Sequence, residues 1–163
     1  MPIQDPIHII YASVSGNVEL VAEEIAATLT HLGLNSKLHR AEATGIDLIQ
    51  SHSYFVMLTS TWEHGAINPF FRKLRNEMYG KELSGKYSAF VGLGDKRYEP
   101  LLFCKGIDTL QQAFEKAGGK SIGEVMRING DPHLILKTDV TQWTNKTFQE
   151  FKKLWQPHSG ESQ

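Results

Sequence analysis

The chain has 163 residues, with 17 Lys and Arg against 18 Asp and Glu and a formal net charge of −1. That balance gives no electrostatic footing for nucleic acid or an anionic membrane surface. No apolar run approaches a membrane span, and Met1-Pro2-Ile3-Gln4-Asp5 lacks the layout of a secretory signal. Cys104 is the only cysteine, which excludes an internal disulfide and a multi-cysteine metal centre. Length and a hydrophobic content of 40% suit one domain over 1–163, with an ordered core over about 6–155 and a polar tail at 156–163. A cytoplasmic setting is the expectation.

Strand-like and helix-like patterns alternate. Ile7–Tyr11 is rich in β-branched residues and reads as a buried strand. Val18, Val21, Ala22, Ile25, Leu29 and Leu32 then recur at helical spacing, and Gly33 supplies a stop. A weak strand follows at Ser36–Arg40, then a short apolar segment around Ile46–Ile49. Tyr54–Thr59 reads as a second buried strand, with a helix from about Pro69 to Tyr79 opened by a proline at its first turn. Tyr87–Gly92 is another buried strand, followed by a helix near Ile107–Ala117 and a Gly118-Gly119 break. Ile122–Ile128 completes five strands, and a last helix carries Val140, Trp143, Phe148, Phe151 and Leu154 on one face. Five βα units of this kind predict a parallel sheet with right-handed crossovers and helices on both faces. Ligands of such sheets bind outside the carboxyl ends of the strands. Three loops fall there, at Ser13–Val18, Ser60–Gly65 and Gly94–Glu99.

The first loop carries the sharpest chemistry. A buried strand, a hydroxyl-rich turn and a helix start bring unpaired N–H groups and the positive end of a helix dipole together, which suits an anion. Ser13, Ser15 and Asn17 can add hydrogen bonds, and no Lys or Arg lies in the loop. The same residues also suit an ordinary capped turn. A P-loop fails for want of Gly-Lys-Ser/Thr after Gly16, and Gly92-Leu93-Gly94 fails as a dinucleotide fingerprint because Arg97 stands at the third glycine position.

Together the loops resemble the flavodoxin family over roughly Ile7 to Leu154. Ser13-Val14-Ser15-Gly16-Asn17-Val18 is similar to its phosphate loop, and Ser60-Thr61-Trp62-Glu63-His64-Gly65 to the loop over one flavin face. Gly92-Leu93-Gly94-Asp95-Lys96-Arg97-Tyr98-Glu99 is similar to the loop over the other face, and Phe103-Cys104 and Ile128–Pro132 also match family segments. The fifth strand lacks the long-chain insertion, so the likeness is to the short-chain type. The resemblance implies a three-layer α/β/α sandwich whose five-stranded parallel sheet has the order 2-1-3-4-5. It also implies one non-covalent FMN. Ser13, Val14, Ser15, Gly16, Asn17 and Val18 would surround the phosphate. Ser60, Thr61, Trp62, Glu63, His64, Gly65, Gly94, Asp95, Tyr98, Glu99 and Phe103 would surround the ring, with Trp62 and Tyr98 as the two stacking aromatics. Electron-rich rings and the acids Glu63, Asp95 and Glu99 would disfavour the fully reduced, anionic flavin.

The implied activity is that of a low-potential electron carrier, a cytoplasmic monomer shuttling single electrons from a ferredoxin or flavodoxin reductase to redox enzymes, with no substrate turnover of its own. The alternatives are an FMN-dependent quinone or azo reductase and a dedicated activator of one redox enzyme. Three departures from the family pattern bear on the site. Val18 replaces a threonine, Glu63 replaces a glycine whose carbonyl turns toward the flavin, and Lys96, Arg97 and His64 dilute an acidic rim. Gly65 is the other candidate for the turning residue. Cys104 reads as a buried inert thiol, Trp143 and Trp155 as packing, and the seven histidines as scattered without metal-ligand spacing.

Overall fold

Strand β1 (Ile7–Tyr11) is buried along its whole length, and its alternating side chains feed both layers of the core. The computed structural model describes residues 5–61, 65–97, 104–149 and 151. Helix α1 (Asn17–His31), strand β2 (Ser36–Arg40) and helix α2 (Ile46–Ser51) follow. Next come β3 (Tyr54–Ser60), α3 (Pro69–Glu77), β4 (Tyr87–Gly94) and α4 (Lys105–Lys116). The chain continues through β5 (Lys120–Ser121), β6 (Met126–Asn129) and a π turn at Leu136–Val140 into helix α5 over 141–149. All strand pairs are parallel, in the order β2-β1-β3-β4-β5, with β6 also on β4.

The expected fifth strand over Ile122–Ile128 is therefore two short strands sharing one edge of β4. Ile122 N still donates to Ser88 O at 2.9 Å, but Gly123 then takes φ 67°, leaving the ladder. Trp143 Nε1 donates to Glu124 O at 2.8 Å and replaces the lost strand bond. Only Ile122–Val125 lie between the two pieces.

Two apolar layers flank the sheet. On one side Val18, Val21, Ile25 and Leu29 of α1 meet Ile9, Val56 and Val91, and Val140, Phe148 and Phe151 extend that layer. On the other, Ile49, Phe71, Leu74, Ile107, Leu110 and Phe114 meet Ile10, Phe55, Met57 and Phe90. Each such buried side chain contributes roughly 1.5–3 kcal/mol, well above what helix propensity decides. Trp143 is half-buried against the first layer, in the packing role expected of it, while Leu154 and Trp155 lie outside the described residues. α1 stops as expected at Gly33, φ 79°, with Leu34 N donating to Leu29 O at 2.9 Å. Asn68 caps α3 by accepting from Phe70 N at 2.9 Å, ahead of Pro69.

Close approach of α4 to the sheet requires glycine at position 92. A Cβ there would stand 2.6 Å from Ile107 Cγ2. This contact sets the height of the α4 entrance over the end of β4.

Candidate functional site at the carboxyl ends of the strands

The loop after β1 is built from inside. Ser13 is buried, and its Oγ accepts from Gly16 N at 3.0 Å, which closes the turn. Gly16 takes φ 96°, a left-handed conformation that a residue with Cβ adopts at a cost of about 1–2 kcal/mol. Leu20 N makes the first helical bond, to Gly16 O, at 3.0 Å. The amides of Asn17, Val18 and Glu19 precede it and have no intrahelical acceptor. They stand with the Ser15 and Asn17 side chains at the wall of a cleft.

That cleft has a volume of about 380 Å³ and is lined by Val14, Ser15, Asn17 and Val18 from the first loop, and by Ser60 and Thr61 from the end of β3. Leu93, Gly94, Asp95 and Arg97 line it from the end of β4, and Gly130 and Asp131 from beyond β6. Of the residues singled out in sequence, Val14, Ser15, Asn17, Val18, Ser60, Thr61, Gly94 and Asp95 thus come together. Ser13 and Gly16 sit behind the wall and shape it. Gly65 is buried with φ 74°, next to the second loop. Trp62, Glu63, His64, Tyr98, Glu99 and Phe103 lie outside the described residues.

The second and third loops are held from below by groups that sequence reasoning did not place in the site. Asn68 Nδ2 donates to Ser60 Oγ at 2.9 Å, and Gly106 N donates to Thr61 Oγ1 at 2.9 Å. A Cβ at Gly106 would stand 3.1 Å from Ser60 O, tighter than an ordinary contact, so the end of β3 would have to shift to admit one. Asn129 Oδ1 accepts from Lys96 N at 2.9 Å, and Gly130 N donates to Gly94 O at 2.8 Å. The visible signal for this fourth wall was the resemblance at Ile128–Pro132. Gly106 carries none, because its need arises from a contact 45 residues away in the chain.

Charge at the cleft is mixed. Asp95 Oδ2 accepts from Arg97 Nη2 at 2.7 Å and Asp95 Oδ1 from Arg97 N at 2.9 Å. The Arg97 side-chain and backbone hydrogen bonds, in that order, hold the Asp95 carboxyl below the usual range. Asp131 is lowered in the same way, first by the backbone N–H of His133 and then by its ring. Tyr11, just before the first loop, is pushed up by burial and then by Glu19, whose carboxylate accepts from its hydroxyl at 3.3 Å. Cys104 is fully buried, directed at Gly92 O at 3.2 Å, and pushed up to about 11 by burial. It is an inert thiol at pH 7.

The flavodoxin family model matches residues 9–143. The chain belongs to the flavodoxin family. With only Ile122–Val125 between β5 and β6, it is of the short-chain type. Among curated flavodoxins, it is 33% identical to the probable flavodoxin 2 of Bacillus subtilis (strain 168) over 127 residues, covering 76% of this chain and 82% of that one. In fold it is similar to a short-chain flavodoxin associated with a non-canonical PDU bacterial microcompartment. That match has a TM-score of 0.80 and 24% identity and covers 90% and 98% of the two chains. The flavodoxin of Fusobacterium nucleatum, solved bound to flavin mononucleotide, matches with a TM-score of 0.76 and 20% identity over 90% and 99%. The sheet order 2-1-3-4-5 expected for this family is the one observed.

Proposed function

We propose that the cleft holds FMN and that the protein is an electron carrier. One observation supports this most: a cation-free anion loop, bent at Gly16, opens onto a cleft whose other walls are the ends of β3 and β4. The donor set fits a phosphate monoester. Ser15 and Asn17 side chains and the amides of Asn17, Val18 and Glu19 supply hydrogen bonds and partial positive charge, while the phosphate keeps its own charge. FMN supplies one-electron redox chemistry when bound.

In this reading Ser13 and Gly16 fix the loop, and Val18 contributes shape where the family has a hydroxyl. Ser60, Thr61 and Gly65 carry the second loop, and Gly94 and Asp95 present backbone to the polar edge of the ring. Trp62 and Tyr98 close its two faces, with Glu63, His64, Glu99 and Phe103 around them. Either Glu63 or Gly65 turns a carbonyl toward the ring, and the positive φ of Gly65 suits it to that role. The electron donor is a reductase of the ferredoxin or flavodoxin type and the acceptors are redox enzymes, met by a cytoplasmic monomer. Among the described residues no helix is long and apolar enough to cross a membrane.

Titration of the flavin-free protein with FMN and with riboflavin tests the site. FMN is expected to bind at least about tenfold more tightly, as hydrogen bonds to a charged group require. Equal affinities would remove the phosphate from this loop. NADPH oxidation by the purified protein alone at enzyme-like rates would favour the reductase alternative.

A further inference from the structure

Far from the cleft, near the opposite end of the sheet, three imidazoles from three segments meet. His8, second in β1, is only 2% exposed. Its Nδ1 lies 2.8 Å from Nε2 of His39 on edge strand β2. Its ring centroid is 4.1 Å from that of His52, which ends α2 just before β3, and 5.0 Å from that of His39. Phe55 of β3 closes the group at 6.1 Å. Among the described residues His8 Nε2 and His52 Nδ1 are buried without a hydrogen-bond partner, Asp5 Oδ1 standing 3.7 Å from the latter.

The charged and titratable groups facing His8 are Asp5 ahead of β1, Lys37 and His39 on β2, and His52 after α2. Two imidazoles and an ammonium therefore oppose one carboxylate. Among the described residues no three His, Cys, Asp or Glu converge as a metal site, so the ligand this cluster can take is the proton. The His8–His39 contact holds a single proton. Whichever ring donates, the other must offer a lone pair. One added proton leaves a single cation that must be held in this buried pair, and with both rings protonated N–H faces N–H and two cations stand at hydrogen-bond distance. A proton on His8 Nε2 becomes a buried donor with no acceptor.

What this contact fastens is the least buried strand of the sheet. Lys37, Leu38 and Arg40 of β2 are exposed, and among the described residues β1 is its only strand neighbour. We propose that His8, His39 and His52 form an acid-release latch. Neutral, they hold β2 and the α2–β3 junction to β1. Protonation of His8 and His39 releases both while β3 and β4 stay paired. Burial, with His52, His39 and Lys37 in support, pushes His8 down to about 4, and burial, with Lys37 and His52, also lowers His39, so the latch is shut at neutral pH.

Hydrogen exchange of the FMN-loaded protein between about pH 7.5 and pH 4.5, corrected for intrinsic amide rates, tests this. Protection at 36–40 and 52–54 is expected to fall by about tenfold or more on acidification, while β3 and β4 keep theirs. His39→Gln keeps a donor and an acceptor but cannot itself titrate, so the acid response should be reduced to the part that His8 carries. His31→Gln, at the exposed end of α1, should respond as the parent does. An undiminished response in His39→Gln, no loosening of β2, or loosening only together with β3 and β4 would each overturn the latch. If His39→Gln fails to fold, the parent's imidazole NMR signals decide. His8 must remain neutral well below the ordinary imidazole value of 6.5, and β2 amide shifts must follow His8. Titration of His8 at the ordinary value refutes the proposal.

Discussion

At the carboxyl end of β1 the chain turns through Ser13 and Gly16 with its inner polar groups paired, so the outer amides of α1 face a cleft. Near the other end of the same strand, His8 and His52 each hold a buried ring nitrogen with no hydrogen-bond partner among the described residues. Unpaired polarity thus occurs at both ends, but at one end a ligand can reach it and at the other only a proton can. The first arrangement costs little, because water serves until an anion arrives. The second is stable only while the rings are neutral, since a buried unpaired charge is far more costly than a buried lone pair. Binding chemistry and acid sensitivity are therefore separable, and single substitutions should move one without the other.

The largest separable effect is expected at the open end. Ser15→Ala or Asn17→Ala should weaken FMN by about ten- to a hundredfold, roughly 1.5–3 kcal/mol, and leave riboflavin nearly unchanged in parallel fluorescence titrations. Equal losses for both ligands would mean that these side chains do not touch the phosphate. At the closed end, acid should act on folding in one direction. His8 goes from the ordinary 6.5 down to about 4, so between those values the unfolded chain binds more protons than the native one. Stability is then full above about pH 6.5 and falls as the pH drops toward 4. Thermal melts over that window should show Tm declining with acidification. His39→Gln should flatten that decline without altering the riboflavin-to-FMN ratio at pH 7.

A smaller effect sharpens the comparison at the turn itself. Gly16→Ala meets no atom within 4 Å, so its cost is conformational, about 1–2 kcal/mol by denaturant melts. FMN affinity should fall further, because the turn aims the amides. The smallest effect is expected from Arg97→Ala at the exposed rim. Loss of a cation near the ring should move the second reduction step to a slightly more negative potential, and high salt should erase the difference. An unchanged potential at low salt would place Arg97 too far from the ring to matter.

The architecture was legible because its signals are local. β-branched runs, helical spacing and stop residues such as Gly33 act within a few positions, and the first four expected strands are all present. The fifth strand reads as continuous because Ile122, Val125, Met126 and Ile128 recur through the segment, whereas its interruption depends on Gly123 and on Trp143, 19 residues from the carbonyl it meets. Eight of the residues singled out for the site do line the cleft, since loop chemistry was written in contiguous stretches. The supports Asn68 and Gly106 are not legible as site residues, for each acts through a contact formed only on folding, whereas Asn129 is signalled only by the resemblance at Ile128–Pro132. The histidines show the same limit. His8, His39 and His52 have no spacing that a motif could capture, yet parallel pairing of β1 with β2 and β3 brings all three together.

Redox titration of the FMN-loaded protein, followed by visible absorbance, tests the central reading most directly. A flavin closed in by this cleft and serving as a single-electron carrier should be reduced in two resolved one-electron steps, the second at a potential well below that of free FMN. A protein that binds no FMN, or one whose flavin is reduced in a single two-electron step at the potential of the free cofactor, would contradict it.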